Sequence, residues 1–312
     1  MSQEVRDVIM IGAGPSALSA AIYTTREDID TVVYEKGAIG GLAAVTDKVD
    51  NYPGFPDGIE GLTLAGYLEK QAERFGAHIE FGDVTAIKQD GDVKVVTVDG
   101  ADVRAKAVLI ATGSDYNKIG VPGELELYGR GVHYCATCDG AFYREKRLVV
   151  VGGGNSAVQE AIFLTRFTTH IDLLVRSTIK ASDVLQKELE EYVAHGKITV
   201  HLGTTTDEIV AVDGKVTSVK ATKDGQPMVI ETDGVFVFVG LKPNTQFLEG
   251  SGIELDEQGL IVTDKNLETN IKGVFASGDV RSGATMQIAS AVGEGASAAL
   301  SIREYIDELA HA

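Results

Sequence analysis

Val8-Ile9-Met10-Ile11-Gly12-Ala13-Gly14-Pro15-Ser16-Ala17 is an apolar strand-like run that breaks into a glycine turn. A helical stretch follows through about Arg26, and a second short run, Thr31-Val32-Val33-Tyr34, ends at Glu35. Strand, Gly-x-Gly-x-x-small turn, helix and strand make the βαβ unit that cradles a dinucleotide. The first glycine makes the tight turn, and the second lets the backbone approach a pyrophosphate. The third position needs only a small residue, here Ala17. The pyrophosphate then meets free N–H groups and the dipole at a helix N-terminus. Glu35 at the end of the second strand can accept hydrogen bonds from ribose hydroxyls and would repel a 2′-phosphate. This first unit therefore fits the adenosine half of FAD or NAD.

The same plan returns further along the chain. Leu148-Val149-Val150-Val151 runs into Gly152-Gly153-Gly154-Asn155-Ser156-Ala157, then a helix through about Phe167, then a strand from Ile171 to Val175. Here no carboxylate closes the second strand. Val175 is followed by Arg176, whose guanidinium can pair with a 2′-phosphate, which favours NADPH over NADH. Later strands follow the same scheme: Ala107 to Ala111 ends at Thr112-Gly113, and Val235 to Val239 ends at Gly240. The segment from Gly273 to Asp279 reads as a strand followed by Gly278-Asp279 and an apolar helix from Met286 to about Tyr305. It has no Gly-x-Gly turn of its own, so it is expected to return and complete the first domain. Asp-Gly pairs at 90–91, 99–100, 213–214 and 224–225 mark hairpins and imply a small antiparallel layer in each domain. The expected class is α/β, with two Rossmann-like domains of the three-layer ββα type, the second inserted into the first. Residues 1–116 and 244–312 would form the first dinucleotide-binding domain, and 117–243 the second, inserted one.

Between the two turns lie the only cysteines, Cys135-Ala136-Thr137-Cys138. Two thiols at this spacing can close a disulfide and attack another. With a nucleotide turn on either side, the pair reads as the outlet of an enzyme that moves electrons from a nucleotide cofactor into a disulfide. A zinc site would need further ligands, which no other cysteine and only six scattered histidines make hard to assemble. Asp139 next to Cys138 can donate or accept a proton as the dithiol opens and closes; the alternative is a turn or helix-cap aspartate. His133 lies two residues before Cys135, where strand alternation would orient it like that thiol; it reads as an exposed polar histidine, with tuning of Cys135 as the alternative. His78, His170, His195, His201 and His311 show no constellation, and Glu188, Glu190 and Glu191 read as a solvated helix face.

Composition excludes several classes. The formal charge of −18 has no basic stripe to offset it, which argues against nucleic acid. No apolar run reaches ~18 residues, so no membrane span is expected. The opening MSQEVRDVIMIGAG is already a strand entering a turn, with no signal-peptide pattern. Two cysteines make no framework for a secreted protein, and a cytoplasmic location follows.

Taken together, these motifs resemble the low-molecular-weight thioredoxin reductases over nearly the whole chain. Further matching pieces are Glu35-Lys36-Gly37 with Gly40-Gly41, Asn51-Tyr52-Pro53-Gly54-Phe55, Ala111-Thr112-Gly113, the Cys135–Gly140 stretch and Gly278-Asp279-Val280. The resemblance implies FAD in the split domain, a homodimer, and electrons passing from NADPH to flavin to Cys135–Cys138 to the disulfide of a thioredoxin. By the match, Cys138 would face the flavin, Cys135 would attack the partner and Asp139 would be the acid–base group. FAD contacts would come from Gly12, Gly14, Pro15, Ser16 and Ala17, and from Glu35, Lys36, Gly40, Gly41 and Leu42. Asn51, Val84, Ala111, Thr112 and Gly113 would join them, with Gly278, Asp279, Met286, Gln287 and Ile288 from the returning segment. The second nucleotide would rest on Gly152, Gly154, Asn155, Ser156, Ala157, Arg176 and Lys180. Arg130 and Phe142 match positions that help dock thioredoxin.

The chain also departs from the family. NADPH-using members usually carry His-Arg-Arg after the second strand of the inserted domain, with another Arg beyond. Here the stretch is Val175-Arg176-Ser177, then Lys180. Met286-Gln287 stands where Arg-Gln is usual, and Leu42 where Gln is common. Such erosion occurs in relatives that draw electrons from ferredoxin, a second flavin or another carrier, so these donors stay open beside NADPH.

Overall fold

Alternation along the central strands decides how the layers stack. The computed structural model describes residues 5–46 and 48–311. The first four residues, which the signal-peptide reading includes, lie outside the described residues. The chain forms β1 (Val5–Ile11), α1 (Pro15–Thr25), β2 (Thr31–Glu35), a single turn α2 (Gly41–Ala44), α3 (Gly61–Arg74) and β3 (His78–Phe81). Then come β4 (Val84–Asp90), β5 (Val93–Val98), β6 (Ala101–Ile110) and β7 (Ser114–Tyr116). Next are β8 (Val132–His133), α4 (Ala136–Asp139), β9 (Arg147–Val151), α5 (Asn155–Leu164), β10 (His170–Val175), α6 (Asp183–Ala194) and β11 (Ile198–Leu202). The chain ends with β12 (Thr204–Val212), β13 (Lys215–Lys223), β14 (Gln226–Glu231), β15 (Gly234–Val237), β16 (Leu241–Pro243), β17 (Val274–Ala276) and α7 (Ile288–His311). Two compact units result: one from the chain up to Asp115 together with Lys242 onward, the other Tyr116–Leu241.

In the discontinuous unit the sheet order is β3-β2-β1-β6-β5-β4, with β17 added beside β6. Strands β3, β2, β1, β6 and β17 are parallel, as βαβ crossovers require. Successive side chains point to opposite faces. Val8, Met10, Val33 and Leu109 therefore bury one face with Ala17, Leu18 and Ala21 of α1 and Ala298 and Ile302 of α7. Ile9, Ile11, Val32, Val108 and Ile110 bury the other with Ile87 and Val96 of the β4–β5 hairpin and with Ile253 and Ile261. Both faces are covered, which is why these strands read as continuous apolar runs. The antiparallel layer expected here is hydrogen-bonded to the parallel sheet. The long strand β6 pairs antiparallel with β5 over Ala101–Ala105 and parallel with β1 from Arg104 onward.

In the inserted unit the order is β11-β10-β9-β15-β8, all parallel. Leu148, Val150, Ile171 and Leu173 face α5 and α6. Val149, Val151, Leu174 and Val235 face a separate three-stranded sheet, β12-β13-β14, through Ile209, Val219 and Ile230. The turns at 99–100, 213–214 and 224–225 close two-residue hairpins with positive φ at both positions, the geometry that Asp-Gly favours.

Candidate active site

The first glycine turn leaves β1 at Gly12, whose φ is +93° and where a Cβ would fall 2.6 Å from the Ala111 carbonyl oxygen. Only glycine fits there. Gly14 is different. Its φ of −74° is ordinary, and a Cβ on it would meet nothing within 4 Å. The backbone is bare towards open space, with Pro15 opening α1 directly after it. Gly41 lies across from it, its missing Cβ 3.9 Å from Gly14 Cα, and the Gly40 N–H donates to the Ala13 carbonyl at 2.8 Å. A pyrophosphate needs such a bare cradle at a helix N-terminus, and these residues fit the flavin dinucleotide.

Glu35 is tied to the turn. The Ala13 N–H donates to its Oε2 at 2.7 Å, and the Gly37 N–H donates to its Oε1 at 2.7 Å. Glu35, Lys36, Val84 and Thr112 line one cleft of about 360 Å³ within this unit. Asn244 and Phe247 are among the lining residues that the sequence does not reveal. Asn244 pairs reciprocally with Thr112 at 2.8 and 3.1 Å. No local signal marks it, because its partner lies 132 positions away.

The returning segment packs against the start of α1. Ser277 Oγ meets Ser16 Oγ at 2.6 Å, both buried. The Gly278 N–H donates to Glu294 at 2.8 Å, and Arg281 clamps the same carboxylate at 2.6 and 3.1 Å. Burial, and then the Glu294 charge, push the Asp279 carboxyl up to about 6. Asn51 donates to Gln287 at 3.0 Å, bringing together two expected cofactor residues that lie 236 positions apart. Met286, beside Gln287 and Ile288, has a φ of +56°, unusual for a residue with a side chain.

The inserted unit repeats the turn. A Cβ on Gly152 would fall 2.3 Å from the Phe238 carbonyl oxygen, whereas one on Gly154 would meet nothing within 4 Å. The Ser182 N–H donates to the Asn155 side chain at 2.8 Å, and the Lys180 N–H donates to the Gly153 carbonyl at 2.6 Å. The loop carrying Arg176 and Lys180 is thereby laid against the turn. Ser156 is exposed beside Asn155, Ala157 is buried, and Arg176 and Lys180 are both exposed. This bare turn with free cations fits a second nucleotide.

Cys135 and Cys138 are joined as a disulfide, their Cα atoms 5.3 Å apart. Cys135 caps α4: its sulfur accepts from the Cys138 N–H at 3.2 Å, and its carbonyl accepts from the Asp139 N–H at 3.2 Å. Arg130 and Phe142 are exposed in the same unit. His133 departs from expectation. It is 5% exposed, with Nδ1 3.1 Å from Asp139 Oδ2 and Nε2 2.7 Å from the Tyr143 hydroxyl. Strand β8 is covered by its neighbours, so a polar side chain on it must find partners inside. A second correction concerns His170 and His201. His201 Nε2 lies 2.8 Å and His170 Nε2 3.8 Å from buried Asp172, which Arg147 also meets. Their strands are parallel neighbours, a relation that linear spacing hides. Glu188, Glu190 and Glu191 are exposed on α6, as expected. Among the described residues no group has the make-up of a metal site, and no helix is long and apolar enough to cross a membrane.

A dinucleotide turn in each unit and a closely spaced disulfide in one of them define an oxidoreductase that couples nucleotides to disulfides. Residues 6–295 match the family described as pyridine nucleotide-disulphide oxidoreductase. The chain is 42% identical to a thioredoxin reductase of Listeria innocua serovar 6a, over 99% of this chain and 97% of that one. It is also 42% identical to a thioredoxin reductase of Bacillus subtilis strain 168, over 99% and 98%. The crystal structure of thioredoxin reductase from Streptococcus pyogenes MGAS5005 superposes with a TM-score of 0.93 at 39% identity, over 98% of this chain and 100% of that one. The chain belongs to the pyridine nucleotide-disulphide oxidoreductases and, within them, to the low-molecular-weight thioredoxin reductase family.

Proposed function

We propose that this protein reduces the disulfide of a thioredoxin or thioredoxin-like protein, with NADPH as electron donor and FAD as resident cofactor. The observation that carries the reading is the Cys135–Cys138 disulfide, held in one helical turn with Asp139 in a chain that has two bare dinucleotide turns. FAD, when bound, supplies the two-electron chemistry that links a nicotinamide to a disulfide. Gly12, Gly14, Gly41, Glu35, Asn51, Asp279 and Gln287 would hold it. Gly154, Asn155 and Arg176 would hold NADPH.

Reduction of Cys135–Cys138 breaks its S–S bond and takes up two electrons. The Cys135 thiolate then attacks one sulfur of the partner's disulfide, and the first partner thiolate leaves and takes a proton. Cys138 attacks Cys135 in the mixed disulfide, restores the S–S bond and releases the second partner thiolate, which takes a second proton. Asp139 holds a proton for this exchange. Arg130 and Phe142 offer the partner a cation and an apolar ring. The net charge of −18 suits a partner with a neutral or basic docking face. A homodimer in the reducing cytoplasm completes the proposal.

One observation favours a second reading with the same output and a different donor. A single exposed guanidinium, Arg176, stands where the NADPH-using pattern has a tandem pair, which opens the input to ferredoxin or a second flavin. Anaerobic titration separates the two. NADPH is expected to bleach the flavin band near ~450 nm, and oxidised thioredoxin to restore it. Bleaching by dithionite but by neither NADPH nor NADH, with recovery on thioredoxin, would replace the first reading by the second.

A further inference from the structure

His133, itself buried, sits at the centre of a three-residue chain whose other members are half-buried. It comes from the end of β8, Asp139 from the end of α4, and Tyr143 from the tight turn Gly140–Tyr143. The imidazole is clamped. Phe236 stacks on it with ring centroids 5.1 Å apart, and Tyr143 meets it edge-on at 5.4 Å. Side-chain exposure is 6% for His133 and 15% for Asp139, so little water reaches the pair, and Tyr143 completes the polar surroundings of the ring. Asp139 is itself fixed to the redox turn by its backbone N–H on the Cys135 carbonyl.

We propose that His133 is a positioning residue for the thiol–disulfide exchange: it fixes the Asp139 carboxyl beside Cys138 and, by exchanging tautomers against Tyr143, keeps that carboxyl hydrogen-bonded both with and without its proton. When Asp139 is a carboxylate, Nδ1–H donates to Oδ2 and the Tyr143 hydroxyl donates to Nε2. When Asp139 carries the proton, its O–H donates to Nδ1 and Nε2–H donates to the Tyr143 oxygen. Both arrangements use a neutral imidazole and leave none of these buried polar atoms unpaired. The groups facing the ring are Asp139 and Tyr143, with Asp233 acting on Tyr143 from ahead of β15, and the Phe236 side is apolar. Burial and the charges of Asp139 and Asp233 hold Tyr143 in its phenol form, so it swaps donor and acceptor roles without ionising.

The proton count closes. The exchange delivers two protons, which the proposed route draws from the Asp139 carboxyl and the Cys138 thiol. Attack by Cys135 forms one S–S bond, breaks the partner's, and sends an electron pair out on a thiolate, which takes the Asp139 proton. Asp139 recovers a proton from the Cys138 thiol. Cys138 then closes the internal disulfide, and the second departing thiolate takes that proton. The inference rests on the disulfide-exchange reading above, and small disulfides test it without thioredoxin.

The flavin-loaded protein is reduced with dithiothreitol, desalted anaerobically and mixed with either hydroxyethyl disulfide or dithiobis(nitrobenzoate). Residual thiols are counted by quenched alkylation and mass spectrometry. The alkyl leaving thiolate needs a proton, whereas the acidic aryl thiolate leaves without one. His133→Phe is expected to slow the alkyl reaction by at least about tenfold and the aryl reaction by less than about twofold, given the ~10²–10⁴ worth of a complete acid–base group. His133→Asn, which keeps an N–H for Asp139, recovers most of the rate. His133→Phe combined with Asp139→Asn is no slower than Asp139→Asn alone. If His133→Phe does not fold, Tyr143→Phe carries the same test, slowing the alkyl reaction only. Equal slowing of both disulfides, no slowing, multiplying losses in the double variant, or a wild-type dithiol inert to both reagents overturns the proposal. A wild type that reacts with both reagents but not with oxidised thioredoxin overturns the partner reading instead, and the alkyl-to-aryl ratio still decides the role of His133.

Discussion

In the discontinuous unit the strand after the glycine turn ends at Glu35, whose two carboxylate oxygens are tied down by the Ala13 and Gly37 N–H groups. In the inserted unit the same turn is followed by Val175 and Arg176, whose guanidinium stands in solvent. The turns themselves are alike, with Gly14 and Gly154 equally bare. In the proposed function a pyrophosphate would therefore meet the same cradle in both units, and selectivity would be added at the next strand end. A tied carboxylate is pre-oriented and forms part of the site's rigid wall. A free arginine supplies charge but must give up rotamer freedom when it binds.

The largest expected effect tests whether the two cradles are separate. Gly14→Val has room for its side chain and an ordinary φ, so the fold should persist while flavin is lost, seen as colourless protein with an unchanged melting curve. Gly154→Val should do the converse, keeping flavin and losing nucleotide binding by calorimetry. Loss of both ligands in either variant would break the comparison. Glu35→Gln comes next. It weakens two charge-assisted hydrogen bonds worth roughly 1.5–3 kcal/mol each, and flavin affinity should fall at least about tenfold in fluorescence titrations. Arg176→Ala removes the guanidinium expected to pair with the 2′-phosphate and should weaken NADPH, but not NADH, by roughly 10–100-fold, the equivalent of ~1.5–3 kcal/mol. Ser177→Arg should tighten NADPH, and an unchanged affinity would count against a nucleotide at Arg176.

The smallest effect concerns Asp279 in the flavin-free protein. Its carboxyl is raised from 3.8 to about 6, so the folded state binds the proton more tightly than the unfolded chain. Stability is then greatest below the unfolded value, falls as pH rises between the two and levels off above the folded one. Asp279→Asn should match wild type near the lower limit. At neutral pH it should be more stable, by at most about 3 kcal/mol, in denaturant titrations.

Much of this molecule is legible in its sequence, because the relevant chemistry is local. Gly12 and Gly152 are required by a positive φ and a carbonyl within 3 Å, conditions that the Gly-x-Gly spacing states directly. The Asp-Gly pairs at 99–100, 213–214 and 224–225 specify their hairpins through backbone conformation; at 90–91 Asp90 still pairs with Val93 and the turn falls one residue later, at Gly91-Asp92. Cys135 and Cys138 sit close enough in sequence to close one turn. The rest depends on packing between distant segments. Asn51 meets Gln287, Thr112 meets Asn244, and Glu294 holds Gly278 with Arg281, pairings set by which strands neighbour which. His133 shows the limit most clearly. By sequence alone it is a histidine near a cysteine pair. Only the placement of β8 against β15, and of the turn through Tyr143 over it, buries the ring and hands it Asp139. A side chain's local conformation follows from its neighbours in sequence. Its access to water, and hence which polar partner it must take, follows from neighbours in space.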